Sequence, residues 1–216
     1  MIKQDLKKRA ITSLVLLLLL FLIFKFNFIL IYALLILSVI SIIEFLGISK
    51  KIIKSKLIMV FLNTFFISYI FVISFLFFFF TNFSQLKILT FCLLLCCIAS
   101  DIGGYAFGKI FKGPKLTKIS PNKTISGSIG SITLSSFAFL ISIFYFTDSF
   151  SMNFLVVGIL TSVACQVGDL IFSLLKRKAE LKDTGNFLPG HGGVLDRIDG
   201  ILLGVPIGFL TLILVF

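Results

Sequence analysis

The chain has 216 residues, 58% of them hydrophobic, with 28 phenylalanines and a formal net charge of +11. No interval is polar enough to fold as a soluble domain, so the composition excludes a soluble enzyme and points to one integral membrane domain over residues 1–216. Such a chain must keep its 20 Lys and Arg out of the hydrocarbon, so these residues report orientation, and no nucleic-acid partner is expected.

Met1 to Ala10 carries Lys3, Lys7, Lys8 and Arg9 and leads into the apolar run from Ile11 to Phe24. The run lacks a small-residue cleavage site, which favours a retained first span over a cleaved signal peptide. Lys25 and Asn27 interrupt it, and Phe28 to Leu46 is long enough at 1.5 Å per residue to cross a ~30 Å core as the second span. A basic loop with Lys50, Lys51, Lys54 and Lys56 follows. Leu57 to Phe80 is then uncharged throughout, and one tilted helix is a more economical reading than two short re-entrant pieces.

After the short turn from Thr81 to Gln85, Leu86 to Phe111 forms a fourth span, polar only at Lys87 and, in its second half, at Asp101, Tyr105 and Lys109. The loop from Lys112 to Ser126 is basic and broken by Gly113-Pro114 and Ser120-Pro121-Asn122. Spans five, six and seven are Ile125 to Phe146, Met152 to Leu175 and Val194 to Phe216. The predicted fold is an all-α polytopic bundle of about seven transmembrane helices with a cytoplasmic N-terminus. With seven spans, every Lys and Arg except Lys25 and Lys87 falls on one side, which the positive-inside rule makes cytoplasmic.

Cys92, Cys96, Cys97 and Cys165 lie in apolar runs without a C-x-x-C pair and read as helix-packing residues. Gly200, Gly204 and Gly208 recur every fourth residue, as do Gly104 and Gly108, the spacing of closely packed helices. These small-residue faces fit a homodimer or packing inside one chain.

The stretch from Ser173 to Gly200 holds the only histidine, four of the nine acidic residues and five of the twenty basic ones. Just before it, Asp169 shares one helix face with Gln166, Ser173 and Lys176. An intramembrane carboxylate is costly, so Asp169 is a candidate for function, while pairing with Lys176 for packing alone is the plainer reading. Asp101 and Glu44 are the other acids at depth, and for Glu44 an interhelix structural partner and a functional role stand equally open. Asp196 and Asp199 open the seventh span after Pro189-Gly190-His191-Gly192-Gly193. Acids at a helix N-terminus are favoured by its dipole, but two of them facing a helix with its own aspartate suit a divalent cation, with Asp169 and Asp196 as shared ligands. The glycine-rich turn around His191 exposes backbone N–H groups that can hold an anion. Ser120, Lys123 and Thr124, followed by Gly127, have the composition of a phosphate site ahead of a helix, although no P-loop is present.

Ser173-x-x-Lys176-Arg177, Lys182-Asp183, Pro189-Gly190-His191-Gly192-Gly193 and Asp196-Arg197-Ile198-Asp199 together resemble the signature of the phosphatidate cytidylyltransferases, the CDP-diacylglycerol synthases. Asp101 through Tyr105, Gly108 and Lys109, then Ser120-Pro121-x-Lys123-Thr124-x-x-Gly127, resemble a second stretch of that family, and Glu44 matches an acid late in its second helix. The resemblance covers roughly half the chain, with the catalytic signature at 165–200. The chain is shorter than bacterial members are expected to be, and its one apolar run at 57–80 stands where they can have two spans.

The resemblance implies transfer of the cytidylyl group of CTP to phosphatidate, giving CDP-diacylglycerol and pyrophosphate. It implies Mg2+, with a monovalent cation such as K+ as an optional companion. Catalytic roles then fall to Asp169, Lys176, Asp196 and Asp199. Substrate binding falls to Asp101, Ser120, Lys123, Thr124, Ser173, Arg177, Lys182, Asp183, His191, Gly192, Gly193 and Arg197. The implied location is the bacterial inner membrane, with the site facing the cytoplasm. Two rival readings are a CTP-dependent polyprenol-type lipid kinase and a cation-coupled transporter, although inverted repeats with broken helices are not evident.

Overall fold

The computed structural model describes residues 15, 18–19, 21–117, 119–187 and 192–216. Six long helices follow one another in it: α1 (Asn27–Ile52), α2 (Lys56–Thr81), α3 (Ser84–Phe111), α4 (Ile125–Thr147), α5 (Asn153–Lys178) and α6 (Leu195–Val215). Among the described residues no strand forms; Lys115 and Thr124 pair in an isolated antiparallel bridge, and Gly192 is a further isolated bridge residue. Each of the six helices is long and apolar enough to cross a bilayer. Their outward faces carry exposed Phe61, Phe71, Tyr145 and Leu214, apolar surface that water would not tolerate at this density but lipid does. The chain is an all-α integral membrane protein.

The boundaries expected for the second to seventh spans agree with these helices to within a few residues at most ends, the largest difference being the C-terminus of α1. The run at 57–80 is one continuous helix, α2. Half of the first expected span, Ile11 to Phe24, lies outside the described residues; 15, 18–19 and 21–25 are helical before Phe26 turns extended (φ −125°, ψ 112°).

The chain divides into two compact units. One holds 1–82 and 175–197, the other 83–174 and 198–216. In the first, α1 and α2 pack through the stacked rings of Phe45 and Phe66, with centroids 3.8 Å apart, and through a 2.8 Å hydrogen bond between the hydroxyls of Ser38 and Ser74. That unit also contains the end of α5. There Glu180 takes a left-handed turn (φ 56°) and the Leu181 N–H returns to the Lys176 carbonyl at 2.9 Å.

In the second unit, α3 and α4 approach so closely that a Cβ on Gly103 would overlap the Gly130 carbonyl, and one on Gly104 would stand 2.7 Å from the Ser131 hydroxyl. Gly168 of α5 likewise packs on the backbone of Asp199, and Gly204 and Gly208 of α6 face Cys165, Cys97, Leu93 and Thr161. The expected glycine faces are therefore occupied inside the chain, and self-association would need another surface. All four cysteines are buried free thiols in helices, in keeping with a packing role. Small residues leave little side chain between these helices, and hydroxyls fill the gaps: Ser100 bonds Ser162 at 2.8 Å, and Ser131 bonds the Ser100 carbonyl at 2.7 Å.

Candidate active site

Two polar clusters, one in each unit, hold most of the expected site residues that are described. In the second unit α3 ends where Lys112 (φ 52°) and Gly113 (φ 113°) turn the chain, and the following loop folds back on itself. Leu116 N–H donates to the Lys123 carbonyl at 2.8 Å and Ile125 N–H to the Pro114 carbonyl at 3.0 Å. Thr124 then caps α4, its hydroxyl accepting the Gly127 N–H at 3.1 Å. This anchoring directs Lys123 to an ion pair with Asp169 of α5. Ser173, one turn along α5, donates to Asp169 Oδ1 at 3.3 Å. Gln166, one turn the other way, bonds the Ser128 hydroxyl of α4. The expected stripe through Gln166, Asp169 and Ser173 is thus present. Its basic partner is Lys123 from the loop, a pairing invisible in helical spacing. Asp101, in the second half of α3, is exposed.

In the first unit the charged residues surround the start of α6. Lys176 Nζ lies 2.6 Å from Asp196 Oδ1, with side chains 13% and 6% exposed. Asp196 Oδ2 accepts three further donors: the Thr184 N–H at 2.8 Å, the Thr184 hydroxyl at 3.0 Å and the Gly193 N–H at 3.0 Å. The last bond reaches back three residues, as the acidic half of a capping box does. Glu44, buried near the end of α1, completes the cap. It accepts the Val194 N–H at 3.0 Å, the Leu195 N–H at 2.8 Å and the Thr184 hydroxyl at 2.7 Å. Of the glycine-rich turn, the Gly193 N–H ends on one of the protein's own carboxylates, as do the next two N–H groups, of Val194 and Leu195. Gly192 sits in this turn with φ 82°, open to a glycine at no steric cost. Pro189, Gly190 and His191 lie outside the described residues.

Arg177, Lys182, Asp183 and Arg197 are exposed around this cluster, whereas Asp199, in the second unit, is buried with Oδ1 accepting its neighbour's Gly200 N–H at 2.8 Å. Thr184 went unnoticed in the sequence because a lone threonine in a polar loop has no periodicity to mark it. Glu44 was visible only as an acid late in an apolar span.

A hard cation needs carboxylate oxygen with lone pairs to spare. Asp169 offers it: its side chain is 33% exposed, and Oδ1 receives a single long hydrogen bond. Asp196 does not, since Lys176 and the Thr184 and Gly193 N–H groups already engage its two oxygens, with the Thr184 hydroxyl shared between it and Glu44. Each acid has a lysine of its own, so no metal ion is required for both to be tolerated. Among the described residues no group of three or more His, Cys, Asp and Glu side chains gathers as a metal cage.

Proteins named phosphatidate cytidylyltransferase are similar to the chain in several bacteria. The one from Rickettsia felis is 42% identical over 134 residues, covering 56% of this chain and 58% of the relative. That of Staphylococcus aureus strain COL is 41% identical over 139 residues, covering 62% and 52%. The Mycobacterium leprae protein is 36% identical over 125 residues, covering 57% and 40%. The aligned part thus spans about half the length of these relatives. The profile described as the cytidylyltransferase family matches residues 2–215, essentially the whole sequence, and the chain belongs to that family.

Proposed function

We propose that the protein transfers the cytidylyl group of CTP to phosphatidate, releasing pyrophosphate and leaving CDP-diacylglycerol in the membrane. One observation carries the reading: Lys123, from the Ser120-to-Gly127 segment, is paired with Asp169, in the second half of α5 and within the 165–200 signature, so two separate stretches that resemble the family converge on one charge pair. In the reaction a phosphate oxygen of phosphatidate forms a bond to the α-phosphorus of CTP, and the bond from that phosphorus to pyrophosphate breaks. The attacking group is already an anion, so no protein nucleophile is needed. The difficulty is the mutual repulsion of two polyanions, which Lys123, Lys176, Arg177, Lys182 and Arg197 are suited to offset.

Mg2+ belongs to this proposal, with Asp169 as its ligand and Ser173 beside it, and when bound it would neutralise charge on the phosphates. Asp196 serves instead to hold Lys176 and the turn before α6. The proposal includes a bacterial inner-membrane location with the site facing the cytoplasm, an orientation that the basic loops support. The experiment is incubation of membranes containing the full chain with phosphatidate and CTP labelled either in the cytidine or in the γ-phosphate. Cytidine label entering the lipid is the expected result. Label from the γ-phosphate alone would assign a lipid kinase, and no lipid label from either would overturn the proposal.

A further inference from the structure

Glu44 is distant in sequence from every signature residue, yet its carboxylate is spent entirely on the signature loop. Three donors converge on it, two of them the successive N–H groups of Val194 and Leu195 that open α6. The first N–H groups of a helix have no partner within the helix, and in an apolar surrounding they must find one. Glu44 is 4% exposed, so no water competes for these bonds.

The packing around the carboxylate is equally specific. A Cβ on Gly193 would stand 2.6 Å and 2.7 Å from the two Glu44 oxygens, and one on Gly185 would stand 2.5 Å from Oε1. Gly185 is therefore confined by Glu44, and Gly193 by Glu44 together with the Thr184 hydroxyl, which would lie nearer still to its Cβ. The Thr184 hydroxyl also links Glu44 to Asp196, at 2.7 Å and 3.0 Å. A hydroxyl has one proton, so it serves one carboxylate at a time and ties the position of each to the other.

We infer that Glu44 is a positioning residue for the cytidylyl transfer. By pinning Val194 and Leu195 it sets where Asp196, and through it the Lys176 ammonium, stands relative to the incoming phosphates. The step from geometry to catalysis rests on the proposed function, whereas the pinning itself does not.

The test uses the full chain in detergent, as wild type, Glu44→Gln and Glu44→Asp, read by amide hydrogen exchange and by steady-state kinetics. Gln turns an N–H2 group toward a backbone donor, and losing one such charge-assisted bond should speed exchange at 193–195 by about tenfold to a hundredfold. The increase should be confined to 183–197, turnover should fall by about tenfold or more, and KM for CTP should move by less than about threefold. The Asp variant, with its charge kept but its reach shortened, should lie between. Should the Gln variant fail to accumulate, Thr184→Val removes the link to Asp196 and should raise exchange in the same segment. Unchanged exchange at 193–195, or an equal rise throughout α1, would overturn the inference, since a merely structural role loosens the whole unit. Exchange as expected with no cytidylyl transfer in the wild type would leave the anchor standing and remove the proposed function and, with it, the catalytic role.

Discussion

Lys176 and Asp196 are joined by a 2.6 Å ion pair between the last turn of α5 and the first turn of α6, within a part of the chain where neither side chain is appreciably exposed. The pair occupies two helix ends whose dipoles favour it: a cation where α5 ends and an anion where α6 begins. Asp196 thereby has its charge compensated by Lys176 and its remaining lone pairs by the loop. The ammonium is held in one place instead of ranging over the surface.

Replacing Lys176 by Met should therefore cost stability as well as activity. Removing one partner of a buried pair leaves the other uncompensated, at about 3–5 kcal/mol. Thermal unfolding in detergent should show a clear drop in Tm for Lys176→Met and a smaller one for Lys176→Arg. An unchanged Tm in the Met variant would mean that the pair is open to solvent in the membrane-embedded protein.

Asp169 and Asp196 should respond differently to magnesium. Asp169→Asn should lower turnover by on the order of 10²-fold, with part of the loss recovered at high Mg2+, as for a weakened ligand. Asp196→Asn should lower it comparably with no recovery, because what fails is the seat of Lys176 and the loop. Magnesium titrations of both variants decide the matter, and identical profiles would restore a role for Asp196 on the metal.

Lys123→Ala should impair use of substrate by about 1.5–3 kcal/mol, the worth of a charge-assisted hydrogen bond to phosphate. Lys54, exposed in the loop between α1 and α2, is the control, and Lys54→Ala should leave kcat/KM close to wild type. Equal losses in the two variants would show that both lysines act through topology alone.

The α3 and α4 contact should tolerate no added carbon. Gly103→Ala drives a Cβ into the Gly130 carbonyl, an overpacking that costs about 1–3 kcal/mol. Gly47 in α1 has nothing within 4 Å of an added Cβ, and Gly47→Ala should be neutral or stabilising by about 0.5–1 kcal/mol from helix propensity. Thermal melts of the two variants should move in different directions, and similar shifts would refute the close approach.

Single cysteines at Ser55 and Lys178 are separated by four helices, α2 to α5, and should be labelled from the same side, the cytoplasm. One at Asn82, a single helix beyond Ser55, should be labelled from the other side. Opposite labelling of Ser55 and Lys178 would mean that one of these helices does not cross.

Six helices were legible in the sequence because a bilayer demands runs of apolar residues of a set length, and any stretch meeting that demand has few other structures open to it. The signature residues were legible too, since charge and glycine stand out against Leu, Ile and Phe. Pairing was not legible. Helical spacing put Asp169 and Lys176 on one face and suggested that they meet. The structure gives Asp169 to Lys123, from a loop more than forty residues earlier, and Lys176 to Asp196, at the start of the next helix. Glu44 lies farther still from the α6 N–H groups that it caps, 150 and 151 residues along the chain. Composition and periodicity describe how one segment meets its solvent, and they fixed the spans for that reason. Which lysine neutralises which acid depends on where loops and helix ends from separate segments come together, and that was decided only when the tertiary structure brought unpaired charges and unpaired N–H groups to the same place.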